Sequence, residues 1–240
     1  MEIKVFDSAV EASQYVAGQI LDLVTASLSV NLGLATGRTM DSIYHHLVKK
    51  AVLVKTDFSK VKAFVVDEYI GLGPDSEYSF ESYLNLHLFN QLNFRKENIF
   101  IPRTHLDDID GACLTYEEEI EQVGGIDFQL LGVGMNGHIG LNEPGSSLDS
   151  RSRVVALTSK TIQSNKSLFS GSDVPKTAVT MGIGTILDSK ACCMVATGET
   201  KAEIVQRLVN GDISSKLPAS AIKMHKNSVL VLDKKAAKYI

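Results

Sequence analysis

An α/β architecture, an open and mostly parallel sheet with helices on both faces, is what the sequence predicts, and three observations carry that expectation. Short apolar runs that suit buried strands alternate with stretches whose apolar residues recur at helical spacing. Turns bearing glycine and threonine stand where a run gives way to a helix, as at a strand–turn–helix junction. No linker, repeat or low-complexity tract divides the 240 residues, a length one large α/β domain can fill, so one domain over 1–240 is expected.

Ser8 to Glu11 has the Ser-x-x-Glu form of a capping box, and Val16, Ile20, Leu23 and Val24 follow at helical spacing, so the first helix is expected over about 8–27. A short apolar strand over 30–35 runs into Thr36-Gly-Arg-Thr39, after which Met40, Ile43, Tyr44, Leu47 and Val48 form the buried stripe of a second helix. The next strand, 62–66, ends at Asp67-Glu-Tyr69; a helix over about 78–92 and a strand over 98–101 follow. Residues 115–123 lie in a helix closed by Gly124-Gly125. Strands are then expected at 126–133, 153–157, 191–197 and 228–232. Pro175 is read as opening a helix that ends near Leu187, and 200–210 as a helix with Gly211 behind it. The polar stretch 159–173 has little periodicity; a lid over a site and a plain surface connection fit it equally.

Leu130-Leu-Gly-Val-Gly-Met-Asn-Gly-His-Ile-Gly-Leu-Asn-Glu-Pro-Gly145 is the densest chemistry in the chain. Five glycines, His138, two asparagines and Glu143 follow directly on an apolar strand. Glycine used this densely signals backbone in positive φ or close approach, and the carboxyl ends of strands are where open α/β sheets bind ligands. A proton carrier beside a carboxylate is the composition of an acid–base site; an ordinary glycine-rich turn is the plainer alternative. Asp67, a carboxylate at the end of a buried strand, is costly unless solvated, paired or functional, and it can also serve as a turn cap.

Ala35-Thr-Gly-Arg-Thr39 has an echo in Ala196-Thr-Gly-Glu-Thr200, followed by Lys201. Helix N-termini offer free N–H groups and a positive dipole end to an anion. Thr36, Thr39 and Thr200 can cap a helix or donate to a phosphate, and Lys201 is a cation where the helix dipole disfavours one. Neither junction matches the P-loop or the three-glycine dinucleotide fingerprint, so a small phosphorylated metabolite is expected rather than ATP or NAD. A carboxylate base, a His–Glu pair and a phosphate cradle together suit proton abstraction next to a carbonyl or imine of a sugar phosphate.

Other classes recede. The net charge of −4 brings no basic patch, which makes nucleic acid a poor partner. No apolar run reaches the ~18 residues that span a bilayer, and Met1-Glu-Ile-Lys-Val5 lacks the plan of a signal peptide, so no membrane partner and a cytoplasmic location are expected. Cys113, Cys192 and Cys193 do not make a disulfide framework, and no Cys/His spacing suggests a metal site; buried reduced thiols are the expectation.

Six segments, Leu32-Gly-Leu-Ala-Thr-Gly-Arg-Thr39, Val66-Asp-Glu-Tyr-Ile-Gly-Leu72, Leu131 to Gly145, Val174 to Gly184, Thr197-Gly-Glu-Thr-Lys-Ala202 and Leu217-Pro-Ala-Ser220, resemble the glucosamine-6-phosphate deaminase family, in its order and over nearly the whole chain. The resemblance implies a Rossmann-like sheet and a reaction in which a 2-amino-2-deoxyhexose 6-phosphate and water give a ketohexose 6-phosphate and ammonium. It implies that His138 shuttles a proton in ring opening, that Glu143 and Asn136 orient it, and that Asp67 moves a proton from C2 to C1. Thr36, Gly37, Arg38, Thr39 and Lys201 would hold the phosphate. No cofactor or metal is implied, because the substrate's amine and carbonyl carry the electron flow.

The sequence departs from the family's pattern at three places. Asn136 stands where some members have aspartate. Ser167 stands where the lid usually has an arginine, so that either Lys166 compensates or the substrate differs. The chain ends at Ile240 without the extension of the allosterically activated members, so activation by an amino-sugar phosphate is not expected. The family ranges from monomers to hexamers, which leaves a homo-oligomer open. Galactosamine 6-phosphate, giving tagatose 6-phosphate, is the first alternative; 6-phosphogluconolactone hydrolysis and a non-catalytic sugar-phosphate regulator rank below it.

Overall fold

The computed structural model describes residues 1–72, 76–166, 169 and 173–240. A seven-stranded sheet, all of its pairings parallel, runs in the order β1-β10-β9-β6-β2-β3-β5: β1 is Glu2–Phe6, β2 Asn31–Leu34, β3 Lys62–Val65, β5 Ile99–Phe100, β6 Phe128–Gly132, β9 Cys192–Ala196 and β10 Ser228–Asp233. β2, β6 and β9, with Leu32, Leu130, Leu131, Met194 and Val195 fully buried, read as continuous apolar runs because a parallel sheet is covered on both faces.

The helices between strands are α1 (Ala9–Ala26), α2 (Arg38–Val54), α3 (Phe80–His87), α4 (Ile109–Gln122), α5 (Ser159–Asn165), α6 (Ile183–Leu187) and α7 (Ala202–Asn210). Ser8 caps α1 through the Glu11 N–H as its capping box requires, and Ala12, Val16, Ala17, Ile20 and Val24 form its buried stripe. Right-handed crossovers place α1, α2 and α3 on one face and α4, α6 and α7 on the other, because the connections leading up to β5 and those following it progress in opposite directions across the sheet. Among the described residues no helix is long and apolar enough to cross a membrane.

A second sheet departs from the sequence reading. β4 (Asp67–Tyr69), β8 (Thr177–Thr180) and β7 (Arg153–Ala156) make an antiparallel sheet in the order β4-β8-β7. The helix expected from Pro175 is therefore corrected: 177–180 is a strand, and only Ile183–Leu187 is helical. Thr177-Ala-Val-Thr180 is rich in β-branched residues, which suit a pleated surface, and Pro175 precedes the strand, where its missing N–H removes no ladder bond. β1 was not anticipated; it is an edge strand whose Ile3 and Val5 are exposed, so it carries no buried apolar signal. Within 159–173, 159–165 is α5, while 167–168 and 170–172, Ser167 among them, lie outside the described residues. Cys113, Cys192 and Cys193 are free and buried, and burial pushes the Cys192 thiol up to about 12.

Candidate active site

β9, β6, β2 and β3 are neighbours in the parallel sheet, and from their carboxyl ends depart the four segments that the sequence singles out. Thr197–Lys201 leaves β9, the glycine-rich loop leaves β6, Thr36–Thr39 leaves β2, and Asp67 follows β3 after one residue, Val66. β2 and β6 part the two directions of the winding, the switch point at which open α/β sheets take their ligands.

The loop after β6 is folded on itself: the Gly134 N–H donates to the His138 carbonyl at 2.9 Å, and the Gly137 N–H to the Gly134 carbonyl at 2.9 Å. A Cβ on Gly134 would lie 2.3 Å from the His138 ring, so the imidazole occupies space that only glycine leaves. Gly140, at φ 53°, brings the backbone against the end of β3: a Cβ there would meet Val66 Cγ1 at 2.7 Å, Thr180 Oγ1 at 2.9 Å and Asp67 Oδ2 at 3.4 Å. The Leu141 N–H donates to Thr180 Oγ1 at 3.1 Å, and Thr180 pairs with Asp67 across β8 and β4. Asp67 thus lies against the loop that carries His138, two residues from it.

Glu143 divides its carboxylate. Asn136 Nδ2 donates to Oε2 at 2.5 Å, and His138 Nδ1 stands 3.9 Å from the same oxygen. Oε1 accepts from Thr158 Oγ1 at 3.0 Å and from Thr161 Oγ1. Asn136 Oδ1 in turn accepts from the His138 backbone N–H at 3.2 Å, so one asparagine ties both partners. The two threonines were missed by sequence reasoning, because their distance from Glu143 along the chain carries no pattern.

The electrostatics follow from burial. Asp67, 6% exposed, is pushed up from 3.8 to about 8, by desolvation first and by the charge of Glu68 second. Burial lowers the proton affinity of His138; Glu143 opposes this, and Lys201 adds to it. Burial also lowers that of Lys201, aided by the Arg38 guanidinium. Glu68 is structural: its carboxylate accepts from the N–H groups of Tyr69, Phe80 and Glu81, fastening the first turn of α3 to β4.

The two junctions match in detail. Gly37 (φ 102°, ψ 169°) and Gly198 (φ 88°, ψ 153°) precede their helical turns in nearly the same backbone conformation. Lys201 Nζ donates to the Val133 carbonyl at 2.7 Å, which brings the second junction to the base of the glycine-rich loop. Tyr83, whose hydroxyl donates to Asp41 Oδ1 at 2.5 Å and lies 3.2 Å from the Gly37 carbonyl, and Tyr44, donating to the Ala35 carbonyl at 2.5 Å, brace the first. Thr36, before the Gly37 cap, and Thr39, in the first turn of α2, are half-buried, with Arg38 exposed between them. Lys166 caps the C-terminus of α5 and is exposed; no described side-chain contact joins it to this cradle. Among the described residues no group of three His, Cys, Asp or Glu could hold a metal ion.

Three comparisons bear on this arrangement. The family model of glucosamine-6-phosphate isomerases/6-phosphogluconolactonase matches residues 6–231. A glucosamine-6-phosphate deaminase of Rhodopirellula baltica is 43% identical over 99% of this chain and 95% of its own. One from Thermoanaerobacter sp. (strain X514) is 44% identical over 87% of this chain and 83% of its own. A solved structure, described as a monomeric glucosamine-6-phosphate deaminase, superposes with a TM-score of 0.96 at 37% identity, all of both chains being covered. The 6-phosphogluconolactonase of Trypanosoma brucei, at 18% identity and a TM-score of 0.81, shares the fold. The chain belongs to the glucosamine-6-phosphate isomerase/6-phosphogluconolactonase family.

Proposed function

We propose that this chain is a glucosamine-6-phosphate deaminase, turning glucosamine 6-phosphate and water into fructose 6-phosphate and ammonium. Support comes from relatives of that name at 43–44% identity and from the close superposition on a deaminase. The observation that carries the chemistry is the placement of Asp67, a buried carboxylate of raised proton affinity, against the loop bearing His138 and Glu143.

In this reading His138, neutral near pH 7 because burial disfavours its charge, takes the proton of the anomeric hydroxyl and delivers one to the ring oxygen, opening the pyranose. Glu143, held by Asn136, steadies the imidazolium that forms in passing. Asp67 then removes the C2 proton of the open-chain amino aldehyde and returns it to C1. The C2 imine left behind adds water and expels ammonia, which leaves as ammonium. A base that titrates near neutrality suits this step, since proton transfer is most effective when the base's pKa lies near the working pH. Thr36, Gly37, Arg38, Thr39 and Lys201 take the phosphate, with free helix N–H groups and two cations; Lys166 is a weaker candidate. Residues 1–240 are read as one domain, with the described α5 as the part of the expected 159–173 lid that reaches the site.

A cytoplasmic location goes with this reading, because a phosphorylated sugar does not cross a bilayer unaided. The acid–base residues of this reading all lie on one chain, and a homo-oligomer is compatible with it. An ammonium-release assay with glucosamine 6-phosphate, galactosamine 6-phosphate and 6-phosphogluconolactone tests the proposal. Release from the first, at the higher kcat/KM, is expected; lactone hydrolysis without ammonium, or preference for the galactosamine ester, contradicts it.

A further inference from the structure

The α5 segment reaches both halves of the acid–base apparatus. At its start, Thr158 accepts from the Thr161 N–H as the helix cap and donates to Glu143 Oε1 at 3.0 Å, while Thr161, 2% exposed, donates to the same oxygen. At its end, Asn165 Nδ2 donates at 2.8 Å to the hydroxyl of Tyr69, two residues beyond Asp67. A carboxylate free to rotate exchanges its oxygens; two hydroxyl donors converging on Oε1, with Asn136 on Oε2, remove that freedom. Oε2, so fixed, is the oxygen 3.9 Å from His138 Nδ1, a buried nitrogen with no hydrogen-bond partner among the described residues.

We infer that Thr158 and Thr161 are positioning residues for the proposed deamination: their hydroxyls fix Glu143 with its second oxygen toward His138, so that the seating of α5 and the geometry of the proton-transfer pair are set together. The reaction named here rests on the proposed function; the positioning claim does not, and the tests separate them.

Thr161→Val keeps the shape and removes the hydroxyl, whereas Thr161→Ser keeps the hydroxyl. In the ammonium-release assay Thr161→Val should lower kcat roughly ten- to a hundredfold, as small misplacements of reacting groups do, with KM within about twofold. Thr161→Ser should recover most of that loss. Added to Glu143→Gln, Thr161→Val should cost nothing further, since the group it acts through is gone. Titration of the His138 ring by NMR reads the same contact with no substrate: the apparent pKa should fall by about half a unit in Thr161→Val, as a charge that raises it is released, and stay in Thr161→Ser. Thr158→Val, at an exposed position, should move both readouts in the same direction by less, and serves if Thr161→Val does not fold. A serine variant as impaired as valine, a loss additive with Glu143→Gln, or an unmoved His138 titration overturns the inference. A wild-type protein that releases no ammonium while the titrations follow this pattern removes the reaction and leaves the positioning in place.

Discussion

Asp67, the proposed base, is a buried carboxylate kept at the expense of the fold. Its folded proton affinity, about 8, stands above the ordinary 3.8, so the native state holds a proton across that interval that the unfolded chain has released. Stability therefore falls as pH rises from about 4 to about 8 and levels off above that. Asp67→Asn, which cannot ionise, should melt higher than wild type at pH 8 by at least about 3 °C, with the gap shrinking toward pH 4. Activity runs the other way, since kcat/KM should climb with pH through about 8 to a plateau above it as the base form fills. Gly134 was legible only as one glycine among five; what demands it is the His138 ring 2.3 Å from where its Cβ would stand. Gly134→Ala should cut kcat by about a hundredfold with an unchanged circular-dichroism spectrum. Sequence marked Asp67, Asn136, His138 and Glu143, because unusual residue types beside glycine at strand ends stand out in any chain. Thr158 and Thr161 did not stand out, since a threonine at a helix start has a sufficient local reason to be there.

Elements were readable where their local preference and their tertiary setting agree. α1 starts at the serine its capping box names, and β2, β6 and β9 lie within the apolar runs. The reading failed at Thr177–Thr180, where a proline suggested a helix start but the β4 and β7 edges were waiting for a strand. It failed also at Glu2–Phe6, whose place at the sheet edge leaves its apolar side chains outside. Glu68 joins two elements: it stitches β4 to α3 through three backbone N–H groups and stands beside Asp67 as a like charge. Glu68→Gln has one acceptor oxygen for those donors and should cost about 1–3 kcal/mol by denaturant unfolding. By removing a charge it should also move the acid limb of kcat/KM to lower pH, because Asp67 then ionises more readily. An acid limb that stays in place would show that burial alone sets it.

The molecule as a whole places its chemistry by topology. Connections wind one way from β2 through β3 to β5 and the other way from β6 through β9 to β10, so the loops that part at β2 and β6 open the crevice in which Thr36–Thr39, His138 and Lys201 gather. The alternation of strands and helices made this layout foreseeable, while the small antiparallel sheet that carries Asp67 was not, because its β4–β8 pairing joins residues over a hundred positions apart. That sheet is held to the body by Glu117 of α4, which accepts from the Ser152 N–H at 2.8 Å, from Thr185 Oγ1 at 2.6 Å and from Arg151. Glu117→Ala strands those donors and should lower stability by about 2 kcal/mol, about 4–8 °C in Tm, with KM unchanged because the cradle is built elsewhere. The central claim is that Asp67 is the base at C2, and exchange of that proton measures it most directly. Glucosamine 6-phosphate in deuterated water should gain deuterium at C2 in the presence of wild-type protein, and none with Asp67→Asn, although the variant still binds the sugar phosphate. Exchange at the wild-type rate in Asp67→Asn would contradict the account.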